Sequence, residues 1–217
     1  MNSSSPHHLS SLPLPLCILL MGEKRKREEE DSAPSAKRVK RCSLHTIISG
    51  GQTGADRAGL EAARALSLDT GGWAPNGFLT SAGNDISLQR DFHLQETEWN
   101  RNKAVMYITR SKLNVDNSDG TVLFRTRDSP GTDKTWGYCL THRWQKPLDT
   151  PPIIPYRPVL VLRELDEDAA KKLGRFIIRH KIGKLNVAGH RDTDPKRTWQ
   201  NKVQTFLTDA LGVILHK

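Results

Sequence analysis

Only three of the 217 residues are cysteine, and Cys17, Cys42 and Cys139 stand far apart. That scarcity excludes a disulfide framework and a Cys-x-x-Cys metal site, and it suits a reducing compartment. Eight histidines are scattered without an H-x-x-x-H pair, so no protein-ligated metal site is expected. No apolar run has the roughly 20 residues that a membrane-spanning helix needs. Aromatics make up only 6% of the chain, and no Lys/Arg stripe interleaved with them marks a nucleic-acid face. Neither a Gly-Lys-Ser/Thr ending nor a G-x-G-x-x-G spacing is present, so the two best-known phosphate loops are absent. No Ser–His–Asp or Cys–His arrangement can be argued from spacing.

What the chain does have is positive charge, a net +9. Residues 1–43 hold eight Lys/Arg against five Asp/Glu, leaving +6 for the body. Such a body favours anionic ligands. The segment 1–43 reads as a disordered basic tail ahead of a single domain over 44–217, because from Glu23 to Arg41 it offers almost nothing to bury. Its clusters Lys24–Arg27 and Lys37–Arg41 read as contacts for the nuclear import machinery. The expected location is the nucleus, with the cytoplasm as the alternative. The apolar patch Leu12–Met21 lacks a basic n-region and a cleavage site, so secretion is not expected. Met21 reads as an alternative translation start.

The most informative stretch is Thr46–Arg57, Thr-Ile-Ile-Ser-Gly-Gly-Gln-Thr-Gly-Ala-Asp-Arg. A β-branched run feeds a glycine-rich turn, and the helical spacing of Ala58, Leu60, Ala62, Ala63 and Leu66 follows. Strand, tight turn and helix N-terminus in that order make an anion site, since amides and helix dipole point the same way. Further strands are expected at Gly72–Ala74, Thr121–Phe124, Val159–Leu162 and Leu185–Ala188. Helices are expected at Asp56–Leu66, within Asp91–Val105, and at Thr132–Trp144, Asp166–His180 and Thr198–Leu211. Asp166 caps the stripe Ala169, Leu173, Phe176 and Ile177.

Alternating strands and helices argue an α/β fold, a Rossmann-like doubly wound parallel sheet in one domain. Ligands of such sheets sit at the carboxyl ends of the strands. Three post-strand segments there are chemically alike: Gly50–Asp56, Ser129–Thr132 and Gly189–Thr193. Each offers small residues, hydroxyls or amides, and Arg191 adds a guanidinium suited to phosphate. Together they predict a shared anion-binding crevice.

The strings SGGQTGADRAGLEAARAL, GGWAPNG, TEWN, NSDGTVLF, SPGT and LNVAG occur in this order. With them the chain from Leu44 onward resembles the putative molybdenum carrier family, a branch of the Rossmann-like SLOG superfamily related to lysine decarboxylase-like phosphoribohydrolases. The resemblance implies a phosphorylated small-molecule ligand, with molybdenum cofactor or a nucleotide as the cofactor classes. It implies ligand contacts at Gly50, Gly51, Gln52, Thr53, Gly54, Asp56 and Arg57, then at Gly72, Trp73, Trp99 and Asn100. Asp119, Thr121, Gly131, Thr132, Asn186, Gly189 and Arg191 complete the set. Trp73 and Trp99 are expected to stack on a flat heterocycle.

The chain departs from the family in three places. Asn76 stands where the family usually has Lys. Arg101–Asn114 separates TEWN from the next matching segment and reads as an insertion, and Leu148–Arg157 reads as an extra proline-rich loop. The Glu of the phosphoribohydrolase branch is replaced by Thr135, and Asp133 is expected to serve the helix N-terminus.

The leading expectation is therefore a binding or carrier protein for a nucleotide- or pterin-like phosphorylated ligand. A hydrolase on the same crevice is the alternative, with Asp56 and Asp119 as catalytic candidates and Asp85 and His190 behind them. A nuclear nucleic-acid-associated factor comes third. The sequence leaves the oligomeric state open.

Overall fold

The structure is a computed structural model describing residues 42–141 and 157–216. The basic clusters, the alternative start at Met21 and the proline-rich loop up to residue 156 lie outside these residues. The first strand, β1 (Thr46–Ser49), is followed by helix α1 (Ala55–Ala65) and strand β2 (Asp69–Gly71). Short elements come next: β3 (Trp73–Ala74), a 3-10 turn at Asn76–Phe78, β4 (Leu79–Thr80), β5 (Gly83–Asn84), α2 (Ser87–Phe92) and β6 (Gln95–Glu96). Then follow α3 (Lys103–Asp116), β7 (Gly120–Phe124), α4 (Pro130–Thr141), β8 (Val159–Leu162), α5 (Glu167–His180), β9 (Lys184–Gly189) and α6 (Thr198–Leu215).

Five strands form one all-parallel sheet in the order β2-β1-β9-β7-β8. Burial on both faces explains why β7 reads as an unbroken buried run. Ile47, Leu185, Val187, Val122, Phe124 and Leu162 point to one face, where apolar residues of α1, α5 and α6 cover them. Gly59 of α1 lies so close that a Cβ there would fall 2.7 Å from Val187 Cβ. By the two-residue period of strands, Thr121, Leu123, Asn186 and Ala188 point to the other face. α3 and α4 cover that side, with the small pairs β3–β6 and β4–β5 and a second core of Leu60, Phe78, Leu88, Phe92 and Leu94 beside them.

The sheet order carries a message that the sequence alone does not. Counted from β9 as a first strand, β1, β2, β7 and β8 become second to fifth, and the order reads 3-2-1-4-5. That is the usual doubly wound order. The last strand of the chain thus fills the central place that a first strand normally takes, and strand order reverses between β9 and β7.

Most expected elements are present with shifted ends. The cap is as read: Asp166 accepts a hydrogen bond from the Ala169 amide at 2.7 Å, and α5 runs from Glu167. The helix expected within Asp91–Val105 is a correction. α2 ends at Phe92, where His93 adopts a left-handed φ of 58°, and α3 starts only at Lys103 with Asn102 as its cap.

Candidate functional site

Because β1, β9 and β7 are neighbours, the turns that follow them meet at one edge of the sheet. They border a cavity of about 740 Å³. Ala188 and Gly189 lie at its base, and a Cβ on Gly189 would fall 2.6 Å from the Phe124 carbonyl oxygen, so only glycine fits. One side is the β7–α4 turn, Arg127 to Thr132. The other is α3, through Ala104, Tyr107, Ile108, Arg110, Ser111 and Lys112. His190, Arg191 and Thr193 close one end, and Lys134, Thr135, Tyr138 and Thr141 of α4 extend the wall.

The glycine-rich turn after β1 is built differently from an open phosphate loop. Three of its amides are spent inside the protein. Thr53 N–H donates to Gln52 Oε1 at 3.0 Å, Gly54 N–H to Gln200 Oε1 at 3.3 Å, and Ala55 N–H to the His190 carbonyl at 3.4 Å. The anion it holds is its own: the Asp56 carboxylate, only 2% exposed, accepts from the Gln52 and Gly189 amides. Arg110 of α3 donates to Asp56 at 2.8 Å, and its guanidinium lies against Gly50, where a Cβ would meet Nη1 at 1.5 Å. Burial pushes the Asp56 carboxyl above its ordinary value, and the Arg110 charge only partly offsets this.

The remaining cations are differently disposed. Arg127, Lys134 and Arg191 face the cavity with no carboxylate partner among the described residues. Asp128, the other acid on the wall, is exposed and pairs with Arg125 at 3.0 Å. Arg127 and Lys134 flank the start of α4. There Pro130 has no N–H, Thr132 N–H donates to Ser129 Oγ at 3.4 Å and Asp133 N–H to the Ser129 carbonyl at 2.9 Å, which leaves the Gly131 amide for a ligand. Open space on the side where Gly131 lacks a Cβ leaves its backbone approachable. Thr132 is buried, its hydroxyl donating to Ser129 Oγ at 3.0 Å.

The rings on the wall are Tyr107 and Tyr138. Tyr138 donates to Asp116 at 2.9 Å, Lys112 Nζ stands 5.2 Å from its ring centre, and burial with the Asp116 bond holds its phenol strongly protonated. Cys139 is buried on the core side of α4, its thiol pushed up to about 11, chiefly by burial. It is therefore no ready nucleophile or thiolate ligand. Among the described residues no group of three metal-ligating side chains occurs.

Gln52, Asp56, Gly131, Thr132, Gly189 and Arg191 of the expected contacts thus border the cavity. Gly50, Gly51, Thr53 and Gly54 lie behind them in the turn, with Thr53 bonded to Ser81 and to the Asp192 carbonyl. Thr121 and Asn186 are buried in the sheet and joined at 3.2 Å, and Asn186 Oδ1 has no partner among the described residues. Arg57 turns away to Glu61 and Asp85 and covers the Phe92 ring at 4.5 Å. Asp85 is thereby occupied too.

Gly72 and Trp73 lie beside α3, where Asn114 pairs with both backbone groups of Trp73. Trp99 is 70% exposed, Asn100 is exposed, and neither borders the cavity. Asp119 precedes β7 and so lies at the opposite edge of the sheet, accepting the amides of Gly183 and Lys184. It is too far round the fold to reach the crevice. Asn76 bonds Glu96 at an exposed position, and Asp133 takes Arg125 as well as standing in the first turn of α4.

Residues that sequence reasoning passed over include Arg110, Arg127, Lys134 and both tyrosines. Arg127 and Lys134 flank the Ser129–Thr132 turn, a signal that was available. Arg110 and Tyr107 belong to the segment read as an insertion.

The profile of circularly permutated YpsA SLOG domains matches residues 47–211. The chain belongs to the circularly permutated YpsA SLOG family. Its strand order accords with that description, since moving β9 to the front restores the usual order. This SLOG chain is also similar in structure to a "putative molybdenum carrier protein" from Syntrophus aciditrophicus. The two share 29% identity with a TM-score of 0.61, over 81% of this chain and 97% of the other. No curated protein matches the sequence.

Proposed function

We propose that this SLOG protein binds a phosphorylated, nucleotide- or pterin-like small molecule in the crevice and serves as its carrier. The observation that carries the reading is that Arg127, Lys134 and Arg191 border the same cavity as the first turn of α4, beside the point where strand order reverses. A phosphate belongs at that end. A flat ring belongs toward Tyr107 and Tyr138. Molybdenum cofactor, the class that the family resemblance implies, is compatible with this donor set in its phosphate and its pterin. The wall supplies no thiolate, so the metal would come bound through its own dithiolene.

Mass spectrometry of small molecules released from the purified protein tests this. A phosphorylated compound recovered from wild type and lost from an Arg191→Ala/Lys134→Ala variant is expected, with Thr53→Ala retaining it. Equal recovery from the double variant would contradict the reading.

A hydrolase on the same crevice draws on one observation, the Asp56 carboxylate on the wall with its raised pKa. It predicts turnover of nucleoside phosphates that Asp56→Asn abolishes while binding survives. The Arg110 pairing and two amide bonds hold that carboxylate in place, which favours binding over turnover. Nuclear import through Lys24–Arg27 and Lys37–Arg41 is a separate proposal, tested by replacing both clusters in a fluorescent fusion and following its location.

A further inference from the structure

We infer that Arg127 is the residue that grips the ligand's terminal phosphate, and that His190 in its neutral form is the positioning residue that aims it. The inference rests on the phosphate-binding reading and adds to it how that site is set and regulated. Arg127 donates from Nε to His190 Nδ1 at 3.3 Å and from Nη2 to the Arg191 carbonyl at 3.0 Å. Two of its donors are thereby fixed, and Nη1 has no partner among the described residues while the side chain borders the cavity. A guanidinium held along one edge presents the rest of its fork in a set direction, the geometry that phosphate recognition needs.

His190 is itself held tightly. It is 5% exposed, its ring stacks on Trp199 of α6 with centres 4.2 Å apart, and Nε2 lies 2.8 Å from Thr126 Oγ1. With Nδ1 accepting from Arg127, the ring proton belongs on Nε2, donating to Thr126.

The same geometry contains a proton-driven release. Nδ1 also lies 3.4 Å from the Arg191 carbonyl oxygen. When Nδ1 takes a proton it can no longer accept from Arg127, and its new N–H turns to the acceptor that Arg127 Nη2 uses. Protonation thus removes one of the two bonds that aim Arg127 and competes for the other.

The groups facing the ring are Thr126 and Arg127 from the β7–α4 turn, the Arg191 carbonyl and Asp192 from its own turn, and Trp199 from α6. Burial lowers the His190 pKa and the Arg127 charge lowers it further, against the Arg191 carbonyl and Asp192. The aimed state therefore holds at neutral pH and is lost as pH falls through the folded-state pKa, below about 6.5.

Isothermal titration of the full chain with inorganic pyrophosphate, on wild type, Arg127→Ala, His190→Phe and His190→Asn, separates the outcomes. Phe keeps the stack on Trp199 without an acceptor, and Asn keeps an acceptor oxygen near the Nδ1 position without the stack. Loss of a charge-assisted contact predicts affinity about tenfold or more weaker for Arg127→Ala and about tenfold weaker for His190→Phe, with His190→Asn within about threefold of wild type. The advantage of wild type over His190→Phe is expected to shrink as pH falls from about 8 to about 5.

Tight binding by His190→Phe with weak binding by His190→Asn would show a packing role and overturn the inference, as would unchanged binding by Arg127→Ala. Wild type that ignores pyrophosphate would overturn the phosphate-binding reading as well. Nitrogen-15 shifts of the wild-type imidazole give a check without ligand or mutation. A proton on Nε2 at neutral pH is expected, and one on Nδ1 would overturn the assignment.

Discussion

Asp56 is a carboxylate in a nearly dry wall, compensated by one guanidinium and two amides. Taking away Arg110 leaves that charge unpaired, and breaking a buried pair in this way costs about 3–5 kcal/mol. Arg110→Ala is expected to lose that much at neutral pH. The sign of its pH dependence follows from the raised Asp56 pKa: the folded protein holds the proton more readily than the unfolded chain, so stability falls as pH rises through that window. Without Arg110 the window widens upward, and the loss should shrink on acidification. Urea melts of both proteins at about pH 7 and about pH 5 check this, and an equal loss at both would contradict it.

A second residue-scale expectation concerns Gly189, where an added Cβ meets backbone and the Ala55 methyl below 3 Å. Gly189→Ala should cost about 1–3 kcal/mol in a thermal melt, from overpacking. The sequence marked Asp56 as a polar contact and Gly189 as part of a turn. It could not name Arg110, whose partner lies 54 positions away, because nothing local links the two.

At the scale of elements, α3 decides how the site is walled. Arg101–Asn114 reads as an insertion because it separates TEWN from the next segment that resembles the family, and its own pattern gives no sign of a packed helix. α3 buries only Met106, Asn114 and Val115, too few to write a stripe, whereas α5 buries Ala169, Leu173, Gly174, Phe176 and Ile177 at regular spacing and was legible with its cap. Yet α3 supplies Arg110, the cavity wall and Asn114. Asn114 accepts from Trp73 N–H at 2.9 Å and donates to its carbonyl at 3.0 Å, standing in for a strand partner. Asn114→Ala leaves two partners unmet, so a loss of about 1–3 kcal/mol is expected in denaturant melts. Deleting residues 101–114 should abolish cooperative unfolding. A deletion variant that melts as sharply as wild type would contradict this.

At the scale of the molecule, sheet topology explains both what the sequence showed and what it concealed. Parallel alternation of strands and helices was legible from hydrophobic patterning, and so was the meeting of three turns at one edge. Strand order was not, because placing β9 beside β1 depends on a pairing across more than a hundred residues. In the proposed reading, the anion site lies at the β7 and β9 turns rather than at the glycine-rich turn, which holds Asp56. The strand order also predicts that a permutant opening at Lys181, with residue 216 joined to residue 42 by a flexible linker, keeps the same sheet. Circular dichroism and a cooperative melt near wild type would agree, and an unfolded permutant would contradict the equivalence.

Backbone amides followed by NMR during titration with ADP separate a ligand at the β7 and β9 turns from one at the glycine-rich turn. The largest shifts are expected at Gly131 and Arg191, which border the cavity, with Gln52 to Gly54 nearly still because their amides already have partners. Shifts confined to Gly50–Gly54, or none at saturating nucleotide, would contradict the proposed site.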